Sequence, residues 1–219
     1  MKKKILVIAP HPDDEVLGVG GTIKKRVNEG HEAHLCIVTV AYTPDWSEDF
    51  LKKREEEINK ASKTLGFTSV SLLKLPTVKL DTLPQKELNA KIGEVIKKIQ
   101  PDTVYIPFYG DVNNDHQLVC AASLVVTRPL PGNLVKEVLM YETLSETEYG
   151  LTPFVPHIYE NIETTLAAKI EAMKCYSSEL KEFPHPRSLE AIEALAKKRG
   201  SEVGVRAAEA FAVVRIVNF

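Results

Sequence analysis

The sequence predicts an α/β fold of Rossmann-like architecture, with a mostly parallel sheet and helices on both faces. Short apolar runs of strand length alternate along the chain with amphipathic patterns of helical period, which is typical of βαβ units. The chain has 219 residues, of which 44% are apolar and 26% charged. This size and composition are those of one globular domain, which we expect to span residues 1–219.

Four strand–helix units are predicted in the first 127 residues. The unbroken apolar run of residues 5–8 indicates a buried first strand. Gly30 and Gly66 stand directly after helical patterns, in the position where glycine commonly ends a helix. Strands are predicted at 4–9, 33–40, 70–75 and 103–107, and helices at 16–29, 48–65, 85–100 and 116–127.

The last third of the chain is less regular. A fifth strand is predicted at 135–141, and residues 143–156 have the composition of a loop. Helical patterns follow at 166–176 and 189–199, and a β-rich apolar run at 211–217 predicts a closing strand.

The segment APHPDDE (residues 9–15) directly follows the first strand. It therefore lies at the carboxyl end of a predicted parallel strand, which is where open α/β sheets bind ligands. His11 and Asp14 are three residues apart, so a tight turn can bring both to one metal ion. Asp13 would then remain as a free carboxylate beside the ion. This combination is the minimal equipment for metal-assisted hydrolysis.

A second polar motif, NNDH (residues 113–116), follows the fourth strand. The first and fourth strands end at the same edge of a parallel sheet, so the two motifs can converge on one composite site. Asp115 can orient a metal ligand or the general base. Asp111 has two interpretations, a residue of the site or an Asx-type turn residue.

These residues resemble the signatures of the LmbE-like, or PIG-L, family of zinc-dependent N-acetyl sugar deacetylases. The family's first motif is Ala-His-Pro-Asp-Asp-Glu, into which this chain inserts Pro10. Its second is His-x-Asp-His, where this chain has Asn113 in place of the first histidine. The segment from Arg54 to Gly66 is similar to the family's helix after the second strand. The resemblance covers roughly residues 4–127 and implies an LmbE-like fold.

The resemblance implies that His11, Asp14 and His116 bind one Zn²⁺ ion per chain, although other divalent metals fit such a ligand set. Asp13 would act as general base, with Asp115 supporting the site. The substrate would be an N-acetylated amino sugar or its conjugate, and the products acetate and a free amino sugar. Asn113 either donates a hydrogen bond to the oxyanion or only shapes the turn.

Substrate-binding candidates lie in two places. The family uses an arginine at the position of Arg54, although a solvated arginine is the ordinary interpretation on a charged helix. The proline-bracketed segment FPHPRS (residues 183–188) contains His185 and Arg187. This segment has two interpretations. It is a substrate-contacting loop, since binding residues concentrate on irregular loops, or it is a surface turn.

Two other classes of function remain open at this level. A phosphoesterase is one, although two-metal phosphoesterases usually need more ligands than the two motifs supply. The other is a non-catalytic metal-binding protein, because the second motif is altered at Asn113. The three functions differ in what an assay would show. A deacetylase releases acetate, a phosphoesterase releases phosphate, and a binding protein retains metal without turnover.

Composition limits the partners and the compartment. The net charge of −2 gives no electrostatic basis for binding nucleic acid. No apolar run approaches the roughly 20 residues of a membrane span, and the expected location is the cytoplasm. The family resemblance implies a homo-oligomer, a trimer or a hexamer, and apolar residues within 125–156 are the candidate interface.

Overall fold

Seven strands form one sheet in the computed structural model, which describes residues 2–131 and 135–217. The strands are β1 (Lys4–Ala9), β2 (Glu32–Val40), β3 (Ser69–Pro76), β4 (Thr103–Pro107), β5 (Glu137–Tyr141), β6 (Ile158–Asn161) and β7 (Ala208–Ile216). The helices are α1 (Asp14–Asn28), α2 (Glu48–Leu65), α3 (Gln85–Ile99), α4 (Asn114–Val126), α5 (Leu166–Cys175) and α6 (Leu189–Ser201).

The strand order is β3-β2-β1-β4-β5-β7-β6. Neighbours from β3 to β5 are parallel, whereas β7 pairs antiparallel with both β5 and β6. The predicted α/β fold with a mostly parallel sheet is therefore confirmed. β6 was missed, and its four residues are only partly buried or exposed, so no apolar run marks it. β7 also begins at Ala208, earlier than the predicted residue 211.

Two apolar cores cover the two faces of the sheet. Side chains alternate along a strand, so Ile5, Val7 and Ala9 enter one core, whereas Leu6 and Ile8 enter the other. The first core contains residues of α1, α2, α5 and α6, and the second contains residues of α3 and α4. This arrangement confirms the prediction of helices on both faces.

α1 packs closely against β5 because Gly18 has no side chain. A Cβ atom at Gly18 would lie 2.2 Å from Cδ2 of Tyr141. The hydroxyl of Tyr141 donates a hydrogen bond of 2.9 Å to the carbonyl of Ile8, one residue before the end of β1. This contact fixes the end of the strand from which the first motif extends.

Candidate active site

The first motif forms a tight turn between β1 and α1. Asp13 stands at the start of the helix with φ of 112°, a conformation that side chains rarely adopt. The backbone N–H of His11 donates a hydrogen bond of 2.8 Å to Oδ2 of Asp14. Asp13 and Asp14 are both buried. Backbone strain of this kind persists at functional sites because surrounding structure holds it.

The structure brings His11, Asp14 and His116 together. The Nδ1 atom of His11 lies 3.3 Å from Nε2 of His116 and 3.4 Å from Oδ2 of Asp14. Nε2 of His116 lies 3.2 Å from the same Oδ2 atom. We call these three residues the ligand triad; together they offer two nitrogens and a carboxylate oxygen to one point.

The spacing of the ligand triad fits a metal ion. Ligand atoms bound tetrahedrally at about 2.0–2.1 Å lie about 3.3–3.4 Å from one another, which is close to the spacing observed. In addition, Oδ1 of Asp14 is buried and has no hydrogen-bond partner among the described residues. Buried polar atoms are normally paired, so this oxygen also fits a site that holds a cation.

Each histidine of the triad contacts a further carboxylate through the ring nitrogen that does not face the other two ligands. Nε2 of His11 lies 3.1 Å from Oδ2 of Asp115, and Nδ1 of His116 lies 2.8 Å from Oδ2 of Asp111. A carboxylate that accepts a proton from one ring nitrogen leaves the other free to bind metal. The sequence left the role of Asp111 open; the structure places it against a triad histidine, with its Oδ1 accepting from the Thr147 hydroxyl at 2.6 Å.

The carboxylates of the site favour cations strongly. Burial lowers the pKa of His11, but hydrogen bonds to Asp115 and Asp14 outweigh it and raise that pKa to about 9. Burial also lowers the pKa of His116, yet Asp14 and Asp111 raise it to about 10. Although burial acts in the opposite direction, the two histidines hold the pKa of Asp14 far below its usual range. Without a metal ion, the triad therefore binds protons.

Asp13 lies beside the triad without belonging to it. Burial raises the pKa of its carboxyl well above the usual range, and the nearby charge of Arg187 opposes that rise. Oδ2 of Asp13 accepts a hydrogen bond of 3.3 Å from Nη1 of Arg187. Its backbone N–H donates to Glu15, whose other carboxylate oxygen accepts from the Tyr176 hydroxyl at 2.6 Å.

A cleft of about 200 Å³ opens next to His11 and Asp13. Arg54 and Arg187, two of the predicted substrate-binding residues, line it. His185 does not: its side chain is exposed, and its Nδ1 accepts a hydrogen bond of 3.0 Å from the backbone N–H of Arg187. Its role in substrate binding therefore stays a prediction. The other residues around the cleft are Pro12, Thr39, Ala41, Trp46, Phe50, Thr77, Val78, Asn113 and Glu179.

Glu179 joins the two arginines of the cleft. Its Oε2 accepts a hydrogen bond of 2.8 Å from Nη1 of Arg187, and its Oε1 accepts from Nη2 of Arg54. Sequence reasoning missed Glu179, because it lies between α5 and α6 in a segment with neither periodicity nor a recognisable motif. Only the close approach of the two arginines in space identifies it.

Asn113 begins α4. Its Oδ1 accepts a hydrogen bond of 3.0 Å from the backbone N–H of Asp115, which is the geometry of an N-cap. Asn113 therefore shapes the turn that presents His116. It also lines the cleft and hydrogen-bonds to the side chain of Glu146. Its second predicted role, as an oxyanion donor, stays a prediction.

The fold and the ligand triad together define an α/β protein with a candidate single-metal centre at the carboxyl edge of its sheet. Residues 6–127 match the model of the PIG-L family, described as GlcNAc-PI de-N-acetylase. The chain belongs to this family, as its two motifs predicted.

Individual relatives agree with that assignment. The uncharacterized deacetylase YaiS of Escherichia coli K12 is 30% identical over 186 residues, which cover 81% of this chain and 92% of YaiS. The diacetylchitobiose deacetylase of Thermococcus kodakarensis is 26% identical over 192 residues, covering 82% of this chain and 71% of that enzyme. Among solved structures, the conserved protein TT1542 from Thermus thermophilus superposes with a TM-score of 0.81 at 26% identity, covering 99% of this chain and 97% of that one.

The family description and the two deacetylases confirm, at the level of the family, the prediction of a hydrolase that removes N-acetyl groups. Concerning membranes, no helix in residues 2–131 and 135–217 combines the length and apolarity needed to cross one.

Proposed function

We propose that this chain is a zinc-dependent hydrolase that removes the acetyl group from an N-acetylated amino sugar or its conjugate. One observation carries the proposal: two histidines and one carboxylate, at the spacing of metal ligands, lie beside a buried carboxylate that is not needed for coordination. Membership of a de-N-acetylase family supplies the substrate class.

His11, Asp14 and His116 would hold one divalent ion. Two nitrogens and one oxygen favour zinc, although iron or cobalt also fits such a ligand set. When bound, the ion polarises the acetamide carbonyl and lowers the pKa of water. Asp111 and Asp115 hold the two histidines so that their other ring nitrogens converge with Asp14, where the ion would bind.

Asp13 would transfer the proton. Its carboxylate takes a proton from the water that adds to the acetamide carbon, and then delivers it to the amine as the C–N bond breaks. Burial raises its pKa, so the group is a stronger base than an exposed aspartate. Arg187, at 3.3 Å, restricts the orientation of this carboxylate. The products are acetate and the free amino sugar.

The remaining site residues would position the substrate. The N-cap bond occupies Oδ1 of Asn113, so its amide nitrogen, which also hydrogen-bonds to Glu146, is the donor that an oxyanion would recruit. Arg54, Arg187 and Trp46 line the cleft next to the triad, where a sugar ring could bind. His185 stays a predicted substrate-binding residue, although it lies outside the lining of this cleft.

The decisive experiment compares the zinc-loaded protein with its Asp13→Asn variant, using a panel of N-acetyl sugars and acetate release as the readout. We expect the variant to keep one equivalent of zinc and to lose roughly 10²–10⁴-fold in kcat. An active Asp13→Asn enzyme would remove Asp13 from the mechanism. A wild-type protein that releases acetate from no sugar would favour the non-catalytic alternative.

The phosphoesterase alternative has weaker support. Two-metal phosphoesterases place their ions about 3.5–4 Å apart, whereas the described residues gather one group of three candidate ligands. Release of phosphate but not acetate from a phosphorylated N-acetyl sugar would favour this alternative.

Three further properties belong to the proposal. The chain would act as one catalytic domain, which is supported by a single sheet that contains strands from both of its ends. Three free cysteines are compatible with the reducing cytoplasm.

Exposed apolar residues in the candidate interface support a homo-oligomer, a trimer or a hexamer. These residues are Val125, Leu130, Tyr149, Leu151 and Val155. Light scattering would test the oligomeric state. Residues 132–134 of the candidate interface lie outside the described residues.

A further inference from the structure

Two arginines that line the cleft have side chains that are largely buried. The side chains of Arg54 and Arg187 are only 14% and 19% exposed. A guanidinium group stays charged at any physiological pH, so each of these groups needs an anionic partner where water is largely excluded.

Glu179 is that partner for both arginines. Its two carboxylate oxygens accept from Nη2 of Arg54 and Nη1 of Arg187, one oxygen for each arginine. The side chain of Glu179 is itself 18% exposed. A carboxylate or phosphate of a ligand would bind the same two guanidinium groups in the same way. Glu179 thus occupies the position of a ligand anion.

Both arginines also contact other groups of the protein. Arg54 donates from Nη1 to the hydroxyl of Ser178 at 3.1 Å. Arg187 contacts Asp13 at 3.3 Å and Glu146 at 3.4 Å, in addition to Glu179. Carboxylates therefore outnumber guanidinium groups at this side of the cleft, and each arginine is already paired with at least one of them.

We propose that Glu179 is a specificity-determining residue, which makes the cleft accept N-acetyl amino sugars that are uncharged where they contact Arg54 and Arg187. Conjugates with a carboxylate or phosphate at that point are excluded, because their anion would meet the carboxylate of Glu179 at short range. Rejection by a like charge is a common source of specificity. This inference rests on the proposed deacetylase function and specifies its substrate class.

The test measures kcat/KM of the zinc-loaded wild type and its Glu179→Gln variant for N-acetylglucosamine and N-acetylglucosamine 1-phosphate. Glutamine keeps the shape and removes the charge. We expect the wild type to prefer the uncharged sugar, and the variant to shift the ratio of the two constants toward the phosphate by about tenfold or more. A ratio cancels any effect on kcat that both substrates share. An unchanged ratio, or a wild type that prefers the phosphate, would overturn the inference.

Glu182→Gln is the matched control. It removes the same charge from the same segment, but Glu182 is exposed and pairs with neither arginine in the described part of the chain. Its ratio should equal that of the wild type; an equal shift in both variants would show a long-range charge effect and contradict the inference. In the double variant Arg54→Gln/Glu179→Gln, the shift of the kcat/KM ratio toward the phosphate should be lost. The reason is that Arg54 is one of the two cations that lose their carboxylate partner when Glu179 is replaced.

A binding measurement separates this inference from the proposed function. Glucose and glucose 1-phosphate have no acetyl group to release, and their affinities can be compared by calorimetry in wild type and Glu179→Gln. If no sugar releases acetate, the proposed function fails, yet tighter binding of glucose 1-phosphate by the variant still supports the role of Glu179. Equal binding by both proteins refutes that role even if deacetylation is observed.

Discussion

Asp111 and His116 share a hydrogen bond of 2.8 Å between Oδ2 and Nδ1, and both residues are fully buried. The bond directs Nε2 of His116 toward Asp14 and His11. Asp111 is therefore a positioning residue for the metal ligand set, held in turn by the hydroxyl of Thr147.

We predict that Asp111→Asn lowers zinc affinity about 10–100-fold, the usual effect of losing a carboxylate behind a ligating histidine. Competition with a chromophoric chelator measures this affinity. Glu171→Gln is the control, because Glu171 is exposed on α5, pairs with Lys174 and belongs to neither motif. If Asp111→Asn binds zinc as tightly as the control, the hydrogen bond does not support the site.

The sequence predicted the parallel part of the sheet because its strands are short, mostly apolar runs that alternate with helical patterns. It also predicted the ligand triad, since two motifs that follow β1 and β4 must meet at one edge of the sheet. The residues behind the triad were harder to assign. From sequence alone Asp111 has two possible roles, and Asp115 supports His11 of the other motif rather than its neighbour His116.

The segment between α5 and α6 could not be predicted for a different reason. Its functional groups act through side chains brought together only by the tertiary fold, such as Glu179 with Arg54. Nothing in the local sequence distinguishes Glu179, which contacts both arginines, from the exposed Glu182 three residues later.

Zinc affinity should rise with pH. The pKa values of His11 and His116 in the metal-free protein are raised to about 9 and about 10, above the ordinary 6.5. Their protonated forms stabilise the metal-free fold fully below about pH 6.5, and this contribution is lost as the pH rises through 9 and 10. Zinc must displace those protons. The increase in Tm on adding zinc should therefore be larger at pH 8.5 than at pH 6.5.

Calorimetric scans at the two pH values, with zinc held at a constant free concentration by a metal buffer, test this expectation. His116→Ala serves as the control, since it removes one ligand and should show little stabilisation by zinc at either pH. An increase in Tm that is the same at both pH values would show that protons do not compete for the triad.

Gly18→Ala should destabilise the fold. The new Cβ would lie 2.2 Å from the ring of Tyr141, so the ring must move and its hydrogen bond to Ile8 is disturbed. Overpacking of this kind typically costs about 1–3 kcal/mol. Gly93→Ala in α3 is the control, because its nearest contact would be Cγ1 of Val126 at an ordinary 3.5 Å. Urea denaturation should show a loss for Gly18→Ala and no comparable loss for Gly93→Ala.

The last prediction separates the two roles of Asn113. As an N-cap it contributes about 1 kcal/mol to stability, and serine can replace it in that role. As an oxyanion donor its amide would contribute about 2.7–4 kcal/mol to catalysis, and a serine, which is shorter and lacks the amide, should not replace it. Asn113→Ala loses both groups, whereas Asn113→Ser loses only the amide.

If Asn113 is a donor, both variants should lose about 10²–10³-fold in kcat while keeping zinc, and only the alanine variant should be less stable in urea. If Asn113 is only a cap, the serine variant should match the wild type in kcat and stability. Asn113→His restores the residue expected from the family motif and should add an ionisation near pH 6.5 to the pH profile of kcat. A wild-type kcat in both Asn113→Ala and Asn113→Ser would exclude the donor role and leave the N-cap bond to Asp115 as the function of this side chain.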